Sequence, residues 1–349
     1  MNVLFIGDII LIVSALAALL VASYTDFKKR EVANWISFSL VILAIILRTI
    51  VSIFVNTKLL SVLLALGMLL FFLLGFFFLL KNQKPWLEYV VSIIFIAIWF
   101  FTKSFNLDYL TPVFLVFGIF IILGNIMYYT KVSGGADVKI LLALAVAFST
   151  TPVFLHQSYN LYIPLLSGFV FSSSPFIFDF IVNSLFVGFV FGLIFSLIMA
   201  LRNKNVFLKS FKETNRKYFL LKMIFLFFGI VFIVLSLSDG VFIILGVALL
   251  IIPYLIVFVN SVQQSCMIKS KSWKELTEGD WLVNNVKIGK TTLKKSADGL
   301  TKKDILLIKK SGKKVLVLDG MPFVPVFLIS VILSLVVGNL LFLLLEAMV

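Results

Sequence analysis

The chain has 349 residues, 62% of them hydrophobic, with a mean hydropathy of +1.16 and a formal net charge of +14. That balance excludes an ordinary water-soluble domain, and repeated apolar runs of about 20 residues, enough to cross a ~30 Å hydrocarbon core, predict a polytopic helical membrane protein. The runs are continuously apolar, which argues against a β-barrel, and one cysteine, Cys266, leaves no room for an intramolecular disulfide or a CxxC metal site.

In chain order, hydrophobic spans are predicted over 4–25, 35–55, 59–80, 89–101, 110–130, 138–155, 180–201, 219–238, 241–260 and 322–344. The expected fold class is all-α and polytopic, about ten transmembrane helices, with a small α+β module near the C-terminus. In the first run the positive charges follow the apolar stretch, the reverse of a cleaved signal peptide, so it is read as a retained helix. The span over 89–101 is the shortest, and it matters because omitting it would put residues 26 and 137 on opposite membrane faces. Residues 156–179 are apolar but broken by Pro164, Gly168 and Pro175, which predicts an interfacial or re-entrant piece. Three regions follow: a membrane-embedded domain over 1–260, a soluble module over 261–321 and a C-terminal span over 322–349. Within the module, partial alternation predicts strands over Asp280–Ile288 and Lys314–Leu318. Thr301 is expected to cap a helix through Lys310 that ends at Gly312.

The basic charge sets the expected orientation. With the N-terminus outside, the inner segments hold twenty-five Lys and Arg, against only Lys58 and Lys103 outside. Such a bias marks the cytoplasmic side, and attraction to anionic lipid headgroups is secondary. No aromatic interleaving accompanies the basic residues of the module, so the lipid bilayer is an expected partner and nucleic acid is not. A multi-pass protein of the cell membrane is expected.

Asp26 closes the first hydrophobic run and Asp137 opens a later one, both at the expected cytoplasmic boundary. Carboxylates at membrane depth are costly and are functional by default. Two on one face are the minimum for aspartyl-protease chemistry, in which neighbouring carboxylates share one proton and one water and divide the acid and base roles. Gly134 and Gly135, followed by Ala136, suit a loop that an extended substrate backbone must approach closely.

Thr25-Asp26, with the basic residues after it and Val32-Ala33-Asn34-Trp35, and then Gly134-Gly135-Ala136-Asp137-Val138-Lys139-Ile140-Leu141, resemble the two motifs of GxGD aspartyl proteases. The fuller resemblance is to type IV prepilin peptidases over about residues 10–145. Ser272–Trp281, Asp298–Thr301 and Asp319–Pro325 resemble the C-terminal region of archaeal members, the prepilin and preflagellin peptidases. The resemblance implies Asp26 and Asp137 as catalytic, Gly134, Gly135 and Ala136 as the active-site loop, no cofactor and no metal. It implies pilin-like or archaellin precursors as partners, cut at class III signal peptides. Ala136 departs from the second glycine of GxGD, and the 111 residues separating the aspartates exceed the spacing of compact members. Two alternatives stand beside this reading: a protease that cuts transmembrane helices, and an ion-coupled transporter that uses the aspartates as ligands.

Other polar residues are read blandly. Asp8 lies 18 residues before Asp26, about 27 Å along a helix, and belongs at the outer boundary. Arg48, deep in a span, snorkels or pairs within the bundle. Asp179 and Asp239 are expected in solvated outer turns. Lys139 is a substrate or headgroup contact. His156, the sole histidine, lies outside, and Gly124 with Asn125 serves helix packing.

Overall fold

The computed structural model describes residues 3–29, 32–81, 84–102, 105, 107–130, 133–155, 176–235, 241–289, 291–295 and 299–346. Expectations for His156, Asp239, Lys103 and most of the broken segment 156–179 lie outside these residues. The chain forms two compact units, one of residues 1–189 with 322–349 and one of residues 190–321.

In the first unit the apolar runs become α1 (Val3–Lys29), α2 (Asn34–Val55), α3 (Leu59–Lys81), α4 (Pro85–Thr102), α5 (Thr111–Tyr129) and α6 (Gly135–Ala147). The first half of α7 (Phe176–Arg202), α12 (Val324–Val336) and α13 (Leu340–Glu346) complete it. Its core joins Leu11, Ala15, Leu19 and Ala22 of α1 to Leu40, Ala44 and Ile45 of α2 and to Ile140 and Leu144 of α6. A cluster of edge-to-face and tilted rings, Phe72, Phe95, Phe114 and Phe117, fastens α3, α4 and α5, a geometry favoured by the ring quadrupole.

Arg48 pairs within the bundle. It is 1% exposed and donates from Nη1 to Tyr109 O and Thr150 Oγ1, both at 2.9 Å, and from Nη2 to Ala147 O at 2.7 Å. Tyr109 in turn donates to Asp8 Oδ1 at 2.7 Å, and Val153 N–H donates to Asp8 Oδ2. The guanidinium thus serves Ala147 O, a carbonyl that the C-terminus of α6 leaves without a helical partner, together with Tyr109 O just ahead of α5. This is also where the expected 138–155 span changes character. The helix stops at Ala147, and beyond Pro152, which cannot donate to a helical turn, only a short 3-10 turn follows, Val153–Leu155.

In the second unit, α8 (Lys204–Lys217) carries five of the chain's basic residues and meets α9 (Phe219–Leu235) at a 67° bend, and α10 (Val241–Ser265) packs against both. Phe207 of α8 stacks edge-on against Phe258 of α10 beside Val262 and Cys266. Lys222, buried in α9, reaches back to Asn215 Oδ1.

The module that follows has β1 (Ile268–Lys271), β2 (Trp281–Leu282), β3 (Val286–Ile288), β4 (Thr291–Leu293), α11 (Lys302–Ser311) and β5 (Val315–Leu318). β5 is the centre of an antiparallel sheet ordered β1-β5-β2, and β3 and β4 form a separate hairpin. The strand expected over Asp280–Ile288 is therefore two, parted by a bend, each contributing to a different sheet. Thr301 caps α11 as its sequence predicts: its Oγ1 accepts from Asp304 N–H while its own N–H donates to Asp304 Oδ2. Gly312 ends the helix in the left-handed region at φ 63°.

Among the described residues, six helices are long and apolar enough to cross a membrane: α1, α2, α3, α5, α7 and most of α10. The bent α8–α9 pair makes a seventh if it counts as one span, and α4 and α12 are shorter apolar helices.

Candidate functional site

Asp26 lies in the last turn of α1 and Asp137 in the first turn of α6, so the two helices present carboxylates from ends of opposite polarity. α1 and α6 both pack against α2 and touch each other, and α12 packs against both. The carboxylates are close enough for the charge of Asp26 to act on Asp137.

Asp137 occupies the third position of α6. Its Oδ2 accepts from Gly134 N–H at 3.1 Å and from the Ser133 hydroxyl at 3.2 Å. This is the half of a capping box that a glycine can make, since Gly134 has only its amide to offer. Gly134 itself is extended, with φ −73° and ψ 158°, so its backbone does not demand glycine. A methyl group there would meet Asp137 Oδ2 at 3.3 Å, and one on Gly135 would meet Tyr128 Cε2 at 3.4 Å. The loop is tight because two side chains lean on it. Ala136, one position on, is half-buried.

Asp26 is 8% exposed, and its Oδ2 accepts from Val324 N–H, the first amide of α12, at 3.1 Å. Both aspartates are thus each held by a backbone amide at a helix N-terminus, where the dipole favours an anion. Lys139 Nζ donates to Asn34 Oδ1 at 2.8 Å, so the first residue of α2 and the second turn of α6 are tied, and the two sequence motifs meet in space. Gly124 of α5 lies against α6: a Cβ there would lie 2.5 Å from Val138 Cγ1, beside Asp137.

Asp8 and Arg48 stay at the other end of α1 and α2, outside the site. Asp179 departs from expectation. It sits within α7 at 0% exposure and accepts from Asn339 Nδ2 at 2.8 Å, because the segment after α12 folds back over it and replaces water. An apolar groove between α1 and α2, lined by Ser14, Ala18, Ser39 and Leu43 among others, holds no titratable side chain. Among the described residues no group of three or more His, Cys, Asp or Glu is placed to hold a metal ion.

Sequence reasoning missed Val324, Ser133 and Asn34 as contacts of the site. Pro322-Phe323-Val324-Pro325 carried a usable signal, since prolines at a helix start leave few first-turn amides and make the remaining one available. No family model, curated protein or solved structure matches the chain.

Proposed function

We propose that the chain is a membrane aspartyl endopeptidase, a prepilin or preflagellin peptidase of the archaeal kind, that removes class III signal peptides from pilin-like or archaellin precursors. The observation that carries the reading is the convergence of Asp26 and Asp137 from motifs 111 residues apart, each with one oxygen held by a backbone amide. In this reading one carboxylate takes a proton from water as the water oxygen attacks the scissile carbonyl. The other donates its proton to the carbonyl oxygen, and collapse of the tetrahedral intermediate passes a proton to the departing amine. Gly134, Gly135 and Ala136 flank the path of the substrate backbone, and Lys139 sits at its edge as a contact for substrate or headgroup.

The accompanying topology has ten spans, with α4, α6, α9 and α12 crossing beside the six longest helices, and the N-terminus outside. Both aspartates then face the cytoplasm, where twenty-five of the basic residues fall. A precursor whose scissile bond precedes an apolar helix would meet the pair at the membrane surface, which favours signal-peptide removal over cutting within a transmembrane helix.

The test is incubation of the purified protein in liposomes with precursors that carry a basic leader ahead of an apolar helix. Mass spectrometry should find one new N-terminus at the leader boundary. Intact precursor across a panel of pilin-like and archaellin-like substrates, or ion flux through the same liposomes, would overturn the reading.

A further inference from the structure

We propose that α12 is a positioning element of the aspartate pair, and that the backbone N–H of Val324 acts as an orienting donor to Asp26; the inference rests on the peptidase reading above. Three observations converge on it. Val324 is 0% exposed, and its amide points at Asp26 Oδ2 across 298 positions of sequence. Few other first-turn donors compete, because Pro325 has no N–H and Val326 N–H is engaged by Phe323 O at 3.0 Å. The N-cap residue of α12, Phe323, makes no side-chain cap, and Asp26 supplies the missing acceptor from another helix, with its carboxylate at the positive end of the α12 dipole.

The second observation is what holds the start of α12. Phe323 lies against Gly188 of α7, where a Cβ would come within 3.1 Å of Phe323 Cζ. Phe327 packs between Phe323 and Phe180, at ring distances of 5.3 and 5.9 Å. The third is what holds its end. Asn183 of α7 donates from Nδ2 to Ser334 Oγ at 2.8 Å and to Gly338 O at 2.6 Å, and its Oδ1 accepts from Leu340 N–H. With Asp179 bound to Asn339, the buried polar groups of α7 lock α12 along its axis. A slide of α12 would break several buried hydrogen bonds at once, each costly to leave unmade. That lock keeps the Val324 amide at a fixed distance from Asp26.

The experiment replaces Val324 by its α-hydroxy acid analogue, which turns the amide into an ester and deletes only the N–H. A matching ester at Val331, within the same helix, controls for the loss of one helical hydrogen bond. Asp26→Asn completes the set. The expected result is a kcat loss of about 10- to 100-fold for the 324 ester with KM unchanged, as a small misplacement of a reacting group produces. The 331 ester should stay near wild type, and Asp26→Asn should be inactive. Wild-type kcat for the 324 ester beside an inactive Asp26→Asn overturns the positioning role and leaves the peptidase reading intact. Active Asp26→Asn overturns both. If the 324 ester does not accumulate as folded protein, Gly188→Val carries the test by displacing Phe323. A kcat loss restored by adding Phe323→Leu supports the proposal, and an unchanged kcat overturns it.

Discussion

A carboxylate in an aspartyl protease works only in concert with its partner, because one must hold the proton that the other lacks. Asp26→Asn and Asp137→Asn should each lower cleavage by about 10²–10⁴-fold, the range for loss of an acid–base group, and the double variant should be no slower than either single one. Rates on a precursor peptide, with elution volume as the check on folding, decide this; near-normal turnover by either single variant would remove the mechanism. Ala136 is a finer probe. Ala136→Gly should retain activity and widen the residues accepted beside the cut, whereas Ala136→Val should cost about 100-fold, since a displacement of ~1 Å at a catalytic group has that effect. Peptides varied around the scissile bond measure both. Wild-type rates for Ala136→Val across them would place that methyl group away from substrate.

At the scale of elements, the site depends on how closely α5 lets α6 approach. The gap at Gly124 is too small for any Cβ, since Val138 Cγ1 would stand 2.5 Å away. Gly124→Val puts a stiff, branched side chain there and should shift the first turn of α6, with Asp137 one residue before Val138. The expected outcome is a loss of cleavage of about 10-fold or more, which Val138→Ala, by vacating the space, partly restores. Kinetics of the single and double variants test the coupling; full activity of Gly124→Val would mean that α6 can move without disturbing the pair. The soluble module shows how local signals translate into local structure. Thr301, Asp304 and Gly312 delimit α11 by short-range hydrogen bonds and one left-handed residue, which are legible without knowing the rest of the chain.

At the scale of the molecule, the same helices that carry the aspartates at one end are pinned at the other by Asp8, Tyr109 and Arg48. Removing one partner of a buried charge group costs about 3–5 kcal/mol, so Arg48→Met should lower thermal stability in detergent strongly. Asp8→Asn added to it should cost less than the sum of the singles, because the two groups share one network. Turnover per folded molecule should stay unchanged, with the network about 27 Å along α1 from Asp26. Thermal unfolding of the four proteins tests this, and strict additivity would show that Asp8 and Arg48 act independently. The whole-chain orientation has its own test in a Cys266→Ser background. Single cysteines at positions 29 and 133 should both be shielded from an impermeant thiol reagent in intact cells, and one at 58 should react. Opposite accessibility of 29 and 133 would separate the aspartates across the membrane.

By itself the sequence determined the membrane class, the helical runs and the two aspartate motifs. Each of these follows from composition, from period or from a few adjacent residues, and such features persist whatever the rest of the chain does. Asp26 at a helix end and Asp137 after Gly134-Gly135-Ala136 needed no coordinates to stand out. Only the tertiary structure decided that Val324 N–H caps Asp26, that Lys139 reaches Asn34, that Arg48 finds Ala147 O and Tyr109 O within the bundle and that Asp179 is covered rather than solvated. The physical reason is common to all four. Each contact joins groups from distant parts of the chain, and several end on backbone atoms that every residue possesses. A backbone amide has no signature in a sequence; where it is left without a helical partner, and which buried carboxylate it finds, depends on how whole helices pack.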